Sequence, residues 1–261
     1  MYGARDEATF NAASIAGRAD RLLPDFRRAI ESVPRERGFK GIGSRGMFFF
    51  YAAVRPFGPK QILESGRMRG ESTLMLARCF PQARIVSVEF DLEPTHAAMA
   101  EAKLRPYANV ELLYGDSREI LPQRLQAGDA VLIDGPKEFR ALKLALQLLA
   151  TGKPCAVLIH DFYRGQPGRT FVERHWTGAF FSDDPALAAR FRELGSQIDP
   201  AYDPDSKHTT SPFVCLPSDL PASYSILLFK IIWARAVSIV VSKIGKFLPH
   251  TLSGKVSDPE G

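Results

Sequence analysis

The sequence predicts an α/β chain: a doubly wound, mostly parallel sheet with helices before it and one amphipathic helix after it. Three observations carry this. From Gln61 to His160 short apolar runs alternate with stretches of helical period, the signature of βαβ units. Each run ends in a polar or acidic residue, and open parallel sheets bind ligands beyond the carboxyl ends of their strands. Two glycines, Gly66 and Gly70, stand between the first run and the helix that follows it.

Residues 5–33 are rich in Ala, Arg and Leu at helical spacing and predict one or two helices ending near Pro34. The glycine-rich link "GFKGIGSRG" follows, and then "MFFFYAAVRPFG", read as a short buried helix stopped by Pro56 and Gly58. Five strands are expected at Gln61–Glu64, Arg84–Glu89, Val110–Tyr114, Ala130–Asp134 and Cys155–His160. The helices between them are expected at Glu71–Cys79, Glu93–Leu104, Arg118–Leu125 and Phe139–Ala150. After Asp161, "GRTFVERHW" and "DDPALAARFRELG" read as helices and "PFVCLPS" as an edge strand. The expected organisation is a helical extension over 1–60, the sheet domain over 61–217, and an amphipathic helix with its tail over 218–261.

A chain of 261 residues that is 45% hydrophobic can bury one sizeable core. Its three cysteines, Cys79, Cys155 and Cys215, form no CxxC pair, which argues against a disulfide framework or structural zinc and for a reducing, cytoplasmic setting. The opening "MYGARDEATF" carries charge where an export signal needs an apolar core. The net charge of +5 divides unevenly, with both ends basic and the centre mildly acidic. Lys and Arg form no dense run with interleaved aromatics, so no nucleic-acid partner is expected. A basic face toward anionic lipid or an acidic substrate is compatible with this distribution.

The turn Gly66-Arg-Met-Arg-Gly70 lets the backbone approach a ligand, and the helix opening near Glu71–Ser72 offers unpaired N–H groups. A dinucleotide fingerprint needs a third glycine, which weighs against NAD. Nineteen residues after Gly70, Glu89 ends the second run with Asp91 behind it, placed to accept from ribose hydroxyls. Asp116 and Ser117 follow the third run, where short side chains can meet an adenine edge.

With "LESGRMRGEST", "VSVEFD", "GDSREIL", "VLIDGPKEF" and "VLIHDFYRG" in place, the stretch from Met47 to Gly165 resembles the class I S-adenosylmethionine-dependent methyltransferases. The resemblance implies a Rossmann-like fold with S-adenosylmethionine as cofactor. It places Glu64, Gly66 and Gly70 under the methionine part, Glu89 on the ribose, and Asp116 with Ser117 at the adenine; Ser72, where the following helix opens, is a further candidate for cofactor binding. Arg67 and Arg69 stand where that family usually has small residues. The "IDGPK" element is similar to the small-molecule, catechol-type O-methyltransferases. That likeness implies a divalent ion such as Mg held by Asp134 and Asp161, with Lys137 as base and Asp134 also bordering the cofactor. Phe162 replaces the usual Asn, and His160, just before Asp161, could supply the missing ligand or a base. The implied partner is a small-molecule acceptor, such as a sugar or lipid-linked sugar. The rival reading is a catalytically silent cofactor-binding fold acting as a membrane-docked module.

In the tail, Ile226, Phe229, Trp233, Val237, Val240, Ile244 and Phe247 recur at spacings of three and four, while Lys230, Arg235, Lys243 and Lys246 lie off that stripe. The basic residues argue against a transmembrane helix. The stripe of 222–248 is expected to pack on its own domain or a dimer mate, or to lie on a membrane surface.

Overall fold

The structure, a computed structural model, describes residues 9–31, 33, 41–91, 93–199 and 211–247. The start of the expected N-terminal helix and the "GFK" of the link lie outside these residues, as do the side chains of Ile244, Lys246 and Phe247. Helix α1 is Ala12–Ile30, α2 is Ser44–Val54, and a short 3₁₀ turn, Arg55–Phe57, leads into the sheet. The repeating core then runs β1 (Gln61–Ser65), α3 (Glu71–Cys79), β2 (Arg84–Glu89), α4 (Pro94–Leu104), β3 (Val110–Tyr114), α5 (Ser117–Arg124), β4 (Ala130–Ile133), α6 (Glu138–Leu149) and β5 (Ala156–Ile159). It is completed by α7 (Pro167–His175), β6 (Phe180–Phe181), α8 (Pro185–Glu193), α9 (Gly195–Ile198), β7 (Val214–Leu216) and α10 (Tyr224–Phe247).

The seven strands are ordered β3-β2-β1-β4-β5-β7-β6. The first five are parallel, and β7 runs antiparallel to both β5 and β6. This is the Rossmann-like, doubly wound architecture the alternation predicts. Strands β1, β4 and β5 are buried at every position, because helices cover both faces and leave no solvated side to alternate with. The order reverses between β1 and β4, which opens a crevice at their carboxyl ends.

One correction concerns "PFVCLPS". It forms β7 inside the sheet, and the edge belongs to β6, whose two residues are too few to show a period of two. On one face α1, α2 and α3 pack a core rich in aromatic rings; on the other α5, α6, α7 and α10 cover a second. Helix α2 is buried on all sides from Met47 to Val54, which explains its lack of a polar face. Phe48 lies at its centre, its ring 5.0 Å from Phe26 and 5.4 Å from Phe191.

Helix α10 departs from the expected stripe. Leu227 and Ile231 are the residues it buries against the domain, where it lies on α6 and α7. The stripe itself points away: Phe229 is 68% exposed and Trp233 63%, and Ile226, Val237 and Val240 are exposed as well. Tyr224–Lys243 is also long and apolar enough to cross a bilayer by length and composition, so Lys230 and Arg235 interrupt it less than expected.

Phe48→Ala removes a fully buried ring and should lower unfolding free energy by about 3–5 kcal/mol, whereas Phe229→Ala should change it by no more than about 0.5 kcal/mol. Denaturant titrations of the two variants check the pair, the midpoint falling only for Phe48→Ala.

Candidate active site

The site begins where β1 and β4 end. The Ser65 carbonyl accepts the backbone N–H of Asp134 at 2.8 Å and of Gly135 at 3.0 Å, pinning the two strand tips together. Gly66 has φ +85°, and a Cβ there would stand 2.8 Å from the Gly135 nitrogen. Only glycine allows so close a crossing of the two loops. Gly70, at φ +84°, is needed for another reason: a Cβ would meet the Leu104 Cδ1 at 2.9 Å. Its side faces α4 rather than a ligand.

Glu89 holds the glycine turn from the tip of β2. Its Oε2 accepts from the backbone N–H of Arg67 at 2.9 Å and Met68 at 2.7 Å, and its Oε1 from Phe90 at 2.8 Å and Asp91 at 3.0 Å. Arg67, in place of a small residue, threads its guanidinium across the tips of β2 and β3. There its Nη1 donates to the Ser87 and Leu113 carbonyls, each at 2.9 Å, and it lies over the Tyr114 ring.

Beyond the tips opens a cavity of about 360 Å³, within the range of small-ligand sites. Of the sequence-predicted residues, Gly66, Ser72, Glu89, Asp134, Lys137 and Asp161 line it. Glu64, Gly70, Asp116, Ser117 and His160 do not. Glu64 is wholly buried. Its Oε2 accepts from Thr73 at 2.5 Å and Ser87 at 2.6 Å, and its Oε1 has no partner. Burial raises its pKa against the opposing hydroxyls of Ser72, Ser87 and Thr73. Asp116 caps α5 by accepting the Arg118 N–H at 2.9 Å and pairs with the Arg118 guanidinium, which holds its carboxyl below the ordinary value. The cavity also takes in Ile42, Met68, Glu71 and His96. Ile42 comes from the glycine-rich link, whose sequence shows no period to mark it.

The tips of β4 and β5 bring four polar side chains together. Lys137 Nζ donates to Asp134 Oδ1 and Asp161 Oδ2, both at 2.6 Å. His160 Nδ1 lies 2.8 Å from Asp134 Oδ1 and 3.4 Å from Asp161 Oδ1. Asp161 sits at φ +64° and also accepts from the Tyr163 hydroxyl at 3.1 Å. Phe162, where an amide was expected, turns into the core beneath α6 and offers no donor.

Charge decides what this cluster can do. Burial pushes Asp134 and Asp161 up, but His160 and Lys137 outweigh it and both carboxyls stay below the ordinary range. Burial depresses Lys137, yet Asp134 and then Asp161 carry it above the ordinary lysine value. Lys137 is therefore a fixed ammonium, not the neutral amine a general base requires. His160 is 3% exposed, with its ring 4.8 Å from that of Phe213. From there its Nδ1 faces Asp134 behind the cavity wall.

The ligand atoms of Asp134, His160 and Asp161 lie within 4.8 Å of one another, a donor set that fits a divalent ion. Both carboxylates are already bridged by Lys137, so ion and ammonium compete for the same oxygens.

The sheet order and the reversal point are those of a Rossmann-like domain, with this cavity at the tips of β1, β2, β4 and β5. Residues 63–162 match the family model described as a methyltransferase domain. A catechol O-methyltransferase from Niastella koreensis is 35% identical over 86 residues, which make up 30% of this chain and 38% of the relative. The chain thus spans well under half of that relative's length. An O-methyltransferase from Bacillus cereus solved in complex with SAH is 18% identical, with 77% of this chain and 89% of that one covered and a TM-score of 0.45. TomG from Streptomyces achromogenes, solved with SAM, is 17% identical over 84% of this chain and all of its own, with a TM-score of 0.42.

If ammonium and metal compete, Lys137→Ala should bind Mn²⁺ at least about tenfold more tightly than wild type, a difference of about 1.4 kcal/mol. Calorimetric titration of Mn²⁺ into both proteins checks this; equal affinities would mean that Lys137 does not hold the metal's place.

Proposed function

We propose that this chain transfers a methyl group from S-adenosylmethionine to an oxygen of a small-molecule acceptor. The observation that carries the reading is the charge of the cavity: Glu71, Glu89, Asp91, Asp134 and Asp161 against only Arg67 and Lys137. Such a lining suits a cofactor whose methionine part bears a sulfonium and an ammonium, and disfavours the pyrophosphate of a dinucleotide. Bound S-adenosylmethionine supplies an electrophilic methyl group. Ser72 and the turn after Gly66 border the methionine end. Glu89, with Asp91 beside it, serves the ribose, and Glu64 supports this floor from beneath through Thr73 and Ser87.

An acceptor hydroxyl is a weak nucleophile until its proton leaves. Asp161 lines the cavity beside the Lys137 ammonium, so we assign it the role of proton acceptor. Lys137 favours the deprotonated oxygen by its fixed charge. His160 and Tyr163 position the two carboxylates. A divalent ion on Asp134 and Asp161, with Lys137 withdrawn, would polarise the acceptor oxygen in its place. For the acceptor we propose a small hydroxylated molecule, with sugars and lipid-linked sugars as the class to test first.

Transfer of labelled methyl groups to extracts fractionated by polarity tests the reading. Asp161→Asn should cut turnover by about 10²–10⁴-fold with little change in cofactor affinity. Unchanged turnover in Asp161→Asn would remove the proton-acceptor role, and no transfer to any fraction would favour a catalytically silent fold.

A further inference from the structure

The outward face of α10 has no work in the site just described. Through Leu227 and Ile231 the helix grips the domain, and beyond Ala234 its described side chains contribute little to the core. Phe229 and Trp233 stand 68% and 63% exposed, and Ile226, Val237 and Val240 continue the same apolar strip. The charges in its own segment are all of one sign. Lys230, Arg235, Lys243 and Lys246 fall within the helix, and no Asp or Glu occurs from Leu220 to Ser257.

We infer that α10 is a docking helix for an anionic lipid surface. It lies in the plane of the interface, with the Phe229–Trp233 strip entering the headgroup boundary and the basic side chains meeting lipid phosphates. The one-signed charge selects this occupant. A second copy seated on the same face would bring two all-basic helices together without a carboxylate to pair them. A membrane surface supplies the apolar layer and the negative charge together. Because Leu227 and Ile231 hold the helix to the domain, it rests on the bilayer rather than crossing it. Indole rings favour the boundary depth that such a helix reaches.

The two tryptophans make the test direct, since Trp176 is 3% exposed and Trp233 63%. Full-length protein is mixed with vesicles of phosphatidylcholine alone or of phosphatidylcholine with phosphatidylglycerol, then followed by flotation and tryptophan emission. The expected result is flotation with the anionic vesicles only, and a blue shift that Trp233→Phe abolishes. Lys230→Gln and Lys243→Gln should each weaken binding about fivefold, and Phe229→Glu by more than about tenfold. All of these positions are exposed, so unchanged thermal melts would show that the fold is intact. Four results would overturn the inference: no flotation, equal flotation with neutral vesicles, retention on the lipid after an alkaline carbonate wash, or a lipid-free dimer in which Trp233 is already shielded.

Discussion

The contact on which the rest of the site depends is the crossing of two backbones at the reversal point of the sheet. Ser65 closes β1 by accepting two N–H groups from the loop after β4, and Gly66 leaves room for Gly135 to pass. That crossing fixes the distance between the tips of β1 and β4. Glu89 then clamps the other side of the turn through the N–H groups of Arg67 and Met68. A larger residue at position 66 would drive the two tips apart and open the cavity floor that both of them form.

The β4 and β5 tips depend on the same frame but are governed by charge. Two partly buried carboxylates side by side would repel; Lys137 and His160, in contact with them, offset that repulsion. This explains how the site tolerates Phe162 where an amide donor was expected. The lost ligand matters less when an ammonium already bridges Asp134 and Asp161. It also bears on Lys137: the resemblance implied a base there, and the two carboxylates beside it favour keeping its proton on.

Much of the sheet was legible because its strands are buried on both faces and therefore read as uninterrupted apolar runs; β2, β3 and α3 have the limits the sequence suggested. Strand β6 was not legible, since two residues carry no period, and β7 was placed at the edge for want of it. In the site, sequence reasoning located the strand tips correctly but could not tell a side chain facing the cavity from one satisfying its own backbone. Asp116 caps its helix, and Glu64 turns inward to Thr73 and Ser87. Ile42 and His96 enter through tertiary folding alone. In α10 apolar residues lie nearly all round the helix, so spacing revealed a stripe without revealing that Leu227 and Ile231, not Phe229 and Trp233, would be buried.

The most direct measurement of the central claim is a calorimetric titration of the full chain with S-adenosylmethionine, its demethylated product and NAD. The first two are expected to bind and NAD is not. Glu89→Ala, which loses charge-assisted hydrogen bonds worth roughly 1.5–3 kcal/mol each, should weaken binding about tenfold or more. Binding of NAD, with S-adenosylmethionine and its product both ignored, would contradict that claim.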